Sequence, residues 1–322
     1  MLSRRQGLTL AGAFGISAAT AADTNAAAAA PTVITPVNFK VPPGACDCHV
    51  HVFPDPAKFP FWSGRGYTPP VATASDLLAL QHALHLNRVV IVTPSVYGTD
   101  NRATLDGIRQ LGHHRARGVA VIGAATTRAE LIAMDKAGVR GIRVNLESSG
   151  ITEPGSAALH LEAAVRQLAH SNWHMQVYAR LPLIAALADR LAAMPMHPVF
   201  DHFAGAKAEL GVSQPGFDVV LGLVRSGKAY VKISGAYRAS NEAPDYPKVA
   251  ALARALIAAN PDRIIWGTDW PHPGPAAKTP SDINQPIPVD DGRLLNLLAE
   301  WAPDPAVRHK ILVANPARLY GF

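Results

Sequence analysis

Cysteine is scarce. The 322-residue chain has two, Cys46 and Cys48. Two positions apart on extended chain, they are badly placed to bridge to each other, so no disulfide framework holds the fold. Charge is sparse as well, at 17% of residues, and aromatics make up 7%. The net charge is +6, yet there is no Lys/Arg run and no basic stripe interleaved with aromatics. That argues against nucleic acid as a partner and suits an anionic small molecule. No apolar run approaches the roughly 20 residues of a membrane span, so no membrane partner is expected. No Gly-x-Gly-x-x-Gly follows a strand pattern, no P-loop occurs and no internal repeat stands out. Hydrophobic residues, at 48%, suffice for a large core. Composition leaves a monomer and a homodimer equally open.

The first thirty residues differ from the rest. Ser3-Arg4-Arg5 precedes an Ala/Gly-rich apolar run from Leu8 to about Ala22, and small residues follow at Ala19-Thr20-Ala21 and Ala26–Ala30. This pattern predicts a twin-arginine signal over 1–30, with export of the folded domain to the periplasm. Residues 31–44 are a Pro-rich, extended segment, and 45–322 form the domain.

Within the domain, strand and helix patterns alternate. Apolar strand patterns lie at 46–51, 88–93, 118–122, 141–145, 173–178, 198–202, 230–234 and 263–269. Helical patterns of about 10–15 residues separate them, as βαβ units require. One helix is expected to start from an N-cap at Ser75 and another to run over 182–193. Eight such units favour a (β/α)8 TIM barrel over a doubly wound sheet. The long Phe53–Pro70 loop after the first strand reads as a lid or substrate loop, and it carries Tyr67.

Strand ends concentrate the polar residues. His49 and His51 share one face of the first strand by its period of two, with Asp47 expected beside them and Cys46, Cys48 and Val50 opposite. Alone, a His-x-His pair is equally well explained as packed histidines. His202 after the sixth strand and Asp269 after the eighth tip the balance, because barrel sites form at the C-terminal strand ends. Ser95, Arg143, Tyr178 and Arg238 reach the same rim. Imidazoles there, alone or around a metal, can polarise a carbonyl, and a carboxylate can take a proton from water. Arg143 and Arg238 could hold a carboxylate or sulfonate, and Tyr67 and Tyr178 could donate to further oxygens. His82, His85, His113, His114, His160 and His170 lie on helical stretches and read as surface residues.

Seven motifs carry a resemblance: Gly44-Ala-Cys-Asp-Cys-His-Val-His-Val-Phe53, Ser95-Val-Tyr-Gly-Thr-Asp-Asn101, Gly141-Ile-Arg-Val-Asn145, Phe200-Asp-His202, Lys232-Ile-Ser-Gly-Ala-Tyr-Arg238, Trp266-Gly-Thr-Asp-Trp-Pro-His272 and Asn315-Pro-Ala-Arg-Leu-Tyr-Gly321. Together they resemble the amidohydrolase superfamily, in the branch of 2-pyrone-4,6-dicarboxylate lactonase and related lactone hydrolases. The resemblance implies a distorted (β/α)8 barrel that opens a small anionic lactone. Asp269 would activate water, and His49, His51 and His202 would polarise the carbonyl. Tyr67, Ser95, Arg143, Tyr178 and Arg238 would hold the substrate. Many members bind one or two divalent metals through a fifth-strand histidine and a fourth-strand lysine or glutamate. Gln176, Tyr178 and Arg143 stand there instead, so a binuclear site is not expected. The lactonase branch is implied to need no metal, and no essential metal is the expectation. A single zinc on His49, His51, His202 and Asp269 is the alternative.

One departure bears on substrate. Where the dicarboxylate lactonases carry a basic pair after the fourth strand, this chain reads Leu146-Glu147-Ser148-Ser149-Gly150. This favours a related lactone with fewer negative groups. Competing readings are a zinc-dependent decarboxylase, a sugar-acid lactone isomerase, and a non-catalytic binding protein on the same scaffold.

Overall fold

The computed structural model describes residues 35–169, 171–274 and 279–322. The expected signal over 1–30, the first residues of the Pro-rich segment and His170 lie outside these. Eight strands form one all-parallel sheet in sequence order: β1 Cys46–Val50, β2 Arg88–Val92, β3 Ala116–Ala120, β4 Val139–Asn145, β5 His174–Tyr178, β6 Pro198–Phe200, β7 Tyr230–Ser234 and β8 Ile264–Gly267. Helices cover the outside between them, which makes the chain a (β/α)8 barrel. Among the described residues no helix is long and apolar enough to cross a membrane.

Local chemistry sets the element boundaries. The helix Ala74–Ala83 starts two residues earlier than an N-cap at Ser75 implies, because Thr73 makes a reciprocal capping box with Asp76. Thr127 and Glu130 do the same for Arg128–Lys136. The helix expected over 182–193 is broken at Leu187 into Leu181–Ala186 and Ala188–Ala193.

The barrel closes between β8 and β1 without a regular ladder. Asp269 donates its N–H to His49 O at 2.9 Å, and His51 donates to Trp270 O at 2.8 Å. The Asp47 carboxylate supplies the remaining bonds, accepting from the N–H groups of His49 and Thr268 and from the Thr268 hydroxyl at 2.6 Å. Gly267 lets the strands meet this closely, since a Cβ there would sit 2.7 Å from the His49 nitrogen. β1 is irregular between Asp47 and Val50. The simple alternation therefore fails: Cys46 and Cys48 pack inside the barrel with Val90, Val92, Val119, Val199 and Ile265, beneath His49 rather than on the opposite face.

The floor of the barrel is apolar and closed by the C-terminus. Tyr320 is buried in the same cluster, and its ring meets that of His174 edge-on at 5.1 Å. His174 thus sits at the strand end away from the polar rim. Both its ring nitrogens are buried without a partner, and burial drops its imidazole to about 3. An imidazole held neutral in the fold but titrating near 6.5 when unfolded supports the fold fully above that pH and progressively less as pH falls. We expect His174→Phe, which keeps a ring there, to lose about 2 kcal/mol less stability than the native chain between pH 7.5 and pH 5 in urea unfolding. Identical losses in both proteins would show that His174 does not carry this sensitivity.

Candidate active site

Three imidazoles and one carboxylate meet at the mouth of the barrel. The Nε2 atoms of His49 and His51 each lie 3.6 Å from Oδ1 of Asp269, and that of His202 lies 4.0 Å away. All four side chains are buried. Each imidazole is oriented through its other nitrogen. Nδ1 of His51 is 2.8 Å from Val92 O, which accepts its proton. Nδ1 of His202 is 3.0 Å from the Ser234 hydroxyl and 3.3 Å from the Ser234 carbonyl oxygen, and Nδ1 of His49 lies 3.2 Å from Oδ1 of Asp201 and 3.3 Å from Nζ of Lys232. These are four residues that the sequence reading singled out, and they lie together here.

Asp269 is a carboxylate with two unlike oxygens. Oδ2 accepts from the Tyr237 hydroxyl at 2.6 Å and from Nε of Arg238. Oδ1 faces the histidines and has no hydrogen-bond partner. Burial alone would raise its pKa, but Arg238 first, then His202, hold it well below the usual carboxylate range. Gly235 permits the approach, because a Cβ there would come within 3.3 Å of both Oδ2 and Nδ1 of His202. Arg238 thus touches Asp269 and holds this carboxylate, and it does not line the neighbouring cavity.

A second buried carboxylate, Asp201, was missed by the sequence reading. Its Oδ2 accepts from Gln176 at 2.9 Å and lies 3.4 Å from Nε of Arg143. Its Oδ1 is 3.6 Å from the buried ammonium of Lys232, which also donates to Gln176 at 2.6 Å. Burial would raise the Asp201 carboxyl, yet His49 and Lys232 hold it well below its ordinary range. Burial followed by Lys232 pushes His49 well below its own, so it is a neutral imidazole. The signal for Lys232 was present: a lysine at the centre of Tyr230-Val-Lys-Ile-Ser234 must point into the barrel.

Beside this cluster, on the β2–β4 side, opens a cavity of about 1540 Å³ lined by Tyr67, Ser95, Arg143 and Asn145, with Trp62 and Tyr97 on the lid side. Tyr67 reaches Ser95, and burial pushes its phenol up to about 12, so it remains a donor near neutrality. Tyr178 stacks edge-on against His202 at 5.2 Å, and the Arg143 guanidinium lies 5.1 Å over its ring. The lid is tied down at Thr68, which bonds to Asn284 and Pro280. Glu147 is not a free acid in the cavity, since it pairs with Arg180 at 3.0 Å.

The donor set can be tested against a metal. His51 presents an Nε2 lone pair, and Nε2 of His49 and Oδ1 of Asp269 are buried without partners. These three atoms lie within 4.8 Å of one another, close to the roughly 3.5 Å separation of neighbouring ligands in a tetrahedral zinc site. The residues therefore fit one divalent ion. His49, Asp201 and His202 are also close enough to bind an ion, but Lys232, Arg143 and Gln176 already face Asp201.

Comparison with known proteins shows the family of the chain. The amidohydrolase family model matches residues 46–322. The 4-sulfomuconolactone hydrolase of Hydrogenophaga intermedia is 36% identical over 89% of this chain and 92% of its own. The 2-pyrone-4,6-dicarboxylate hydrolase of Comamonas testosteroni is 35% identical over 88% and 92%. The D-galactarolactone isomerase of Agrobacterium fabrum is 31% identical over 89% and 94%.

Removing Asp201 tests its place in the cluster. Asp201→Asn leaves Lys232 and Arg143 without their counter-charge and gives His49 a neutral, weaker acceptor. The expected loss in kcat/KM is about 10–100-fold, as for other groups that orient an active-site histidine. Wild-type kinetics in a folded Asp201→Asn protein would remove this residue from the site.

Proposed function

Because the chain belongs to the amidohydrolase family, and its relatives include lactone hydrolases, we propose that it opens the ring of a small anionic lactone by attack of water on the ring carbonyl. The observation that carries this reading is the unpartnered Oδ1 of Asp269, buried and faced by three imidazole nitrogens.

Asp269 works as the general base. Arg238 and Tyr237 fix Oδ2, so Oδ1 is the oxygen that takes the proton from water. A carboxylate so strongly held as an anion is a weak base in the free enzyme. It becomes a better one as the substrate's own negative charge draws on Arg238, because each counter-charge shared away raises a carboxylate's proton affinity. In this reading the Ser234 hydroxyl donates to Nδ1 of His202 and leaves a proton on Nε2, placed to stabilise negative charge on the carbonyl oxygen. The proton held by Asp269 then passes to the departing ring oxygen, which returns the base to its starting state. Arg143 and Tyr67 bind the anionic substituent in the cavity. A divalent metal, where bound, would be held by His49, His51 and Asp269 with His202 adjacent, and it would act as a Lewis acid toward the carbonyl and acidify water.

Substrate charge is read from the buried charges beside the cavity, of which only Arg143 lines it. Arg143, Lys232 and Arg238 face Asp201 and Asp269, three cations to two carboxylates. With Glu147 neutralised and Ser148 and Ser149 lining the cavity, the site takes a lactone with one anionic group in preference to a dicarboxylate.

Asp269→Asn is expected to lower kcat by about 10²–10⁴-fold on any lactone the native protein hydrolyses, with the thermal transition retained. Near-normal turnover in that variant would remove Asp269 as the base.

A further inference from the structure

A chain of buried polar groups ends on the oxygen of Asp269 that does not face the histidines. Asp291 opens the helix Asp291–Trp301 and is fully buried. Its Oδ1 lies 3.0 Å from Nε2 of His272, while its Oδ2 has no partner. Nδ1 of His272 lies 3.3 Å from the Tyr237 hydroxyl, and that hydroxyl lies 2.6 Å from Oδ2 of Asp269. The Tyr237 and His272 rings meet edge-on, 5.5 Å apart. His272 is buried and does not line the cavity.

Hydrogen-bond direction fixes the protons along this chain. Ionised Asp269 can only accept. Tyr237 has one proton and must spend it on Oδ2. The tyrosine oxygen can then only accept from His272, so Nδ1 of His272 carries a proton. Nε2 of His272 and Oδ1 of Asp291, 3.0 Å apart, must share one more proton, since two bare acceptors would repel. The pair is thus an imidazolium on a carboxylate or its neutral equivalent, and in either form His272 presents Nδ1–H to the tyrosine.

We propose that His272 and Asp291 are positioning residues for the base. They hold the Tyr237 hydroxyl as a donor to Oδ2 of Asp269, which fixes the carboxylate rotamer and leaves Oδ1 turned toward water. This rests on Asp269 acting as the base. The backbone favours such a device. Asp269 and His272 adopt φ of +68° and +59°, a left-handed conformation costly for residues other than glycine. His272 N–H bonds to Asp269 O at 2.9 Å, so the ring that orients the tyrosine and the carboxylate it serves share one tight turn.

A purely structural role for His272 would predict loss of stability unrelated to Tyr237. The experiment separates the two. His272→Leu removes the donor. His272→Asn keeps an N–H near the Nδ1 position and tolerates positive φ. We expect His272→Leu and Tyr237→Phe each to lower kcat about 10–100-fold with KM changed less than about twofold. The double variant should be no slower than either single one, because both remove the same hydrogen bond. His272→Asn should recover most of the lost kcat. Losses that multiply in the double variant, or an Asn variant as slow as the Leu variant at equal thermal stability, would overturn the proposal. A second readout is independent of turnover. Ring ¹⁵N NMR of the native protein, with His272 assigned by its absence in His272→Asn, should show Nδ1 protonated at pH 7.5. A bare Nδ1 overturns the proposal whatever substrate is used. A protonated Nδ1 in a protein that hydrolyses no lactone would support the hydrogen-bond chain while rejecting the lactonase reading.

Discussion

The site depends on how β8 meets β1. Seven of the eight strand junctions are parallel ladders, two of them with a register shift. The eighth is made by the Asp47 carboxylate and by backbone bonds between His49 and Asp269 and between His51 and Trp270. That junction carries both histidines of the first strand and the aspartate of the last, so the bonds that close the barrel also set the distance from imidazoles to base. Asp47 is itself under tension. Burial raises its carboxyl to about 7 against the hydrogen bond from Thr268, so the clamp is close to losing or gaining a proton near neutrality.

Two further buried carboxylates face opposite ends of the same imidazole. Asp201 orients Nδ1 of His49, and Asp269 faces its Nε2. Neither could remain ionised alone in the interior, where an unpaired charge is prohibitively costly. Each has its own cations, Lys232 and Arg143 for Asp201 and Arg238 for Asp269. Each keeps one oxygen without a hydrogen-bond partner; that of Asp201 is flanked by His49 and Lys232, and that of Asp269 faces the three imidazoles. In the proposed hydrolysis Asp201 is a positioning group and Asp269 the base, and the difference between these two similarly buried aspartates lies in their partners.

Much of this was legible in the sequence because barrels place function at strand ends. His49, His51, His202 and Asp269 follow from strand periodicity and the order of elements, and Arg143 and Tyr178 from their register. What stayed hidden is what periodicity cannot see. The irregularity of β1 turns Cys48 inward with His49, against a strict period of two. Asp201 sits beside His202 in sequence, but its importance lies in Lys232, Gln176 and Arg143, which come from three other strands. Tyr237 and Asp291 are an ordinary tyrosine after a glycine turn and an ordinary acid in a helix's first turn until the fold brings His272 between them. The Arg238–Asp269 contact was missed for the same reason, since each residue alone reads as a substrate or catalytic group.

In the proposed hydrolysis water, activated at Oδ1 of Asp269, attacks the lactone carbonyl. A lactone isomerase or a decarboxylase on the same scaffold would not leave a water oxygen in the new acid. The most direct measurement is therefore mass spectrometry of the product formed in H₂¹⁸O from a monoanionic muconolactone-type substrate. The account predicts one ¹⁸O atom, located in the newly formed carboxylate and absent from the hydroxyl or enol released from the ring. Product without label, or label in the released ring oxygen, would contradict it.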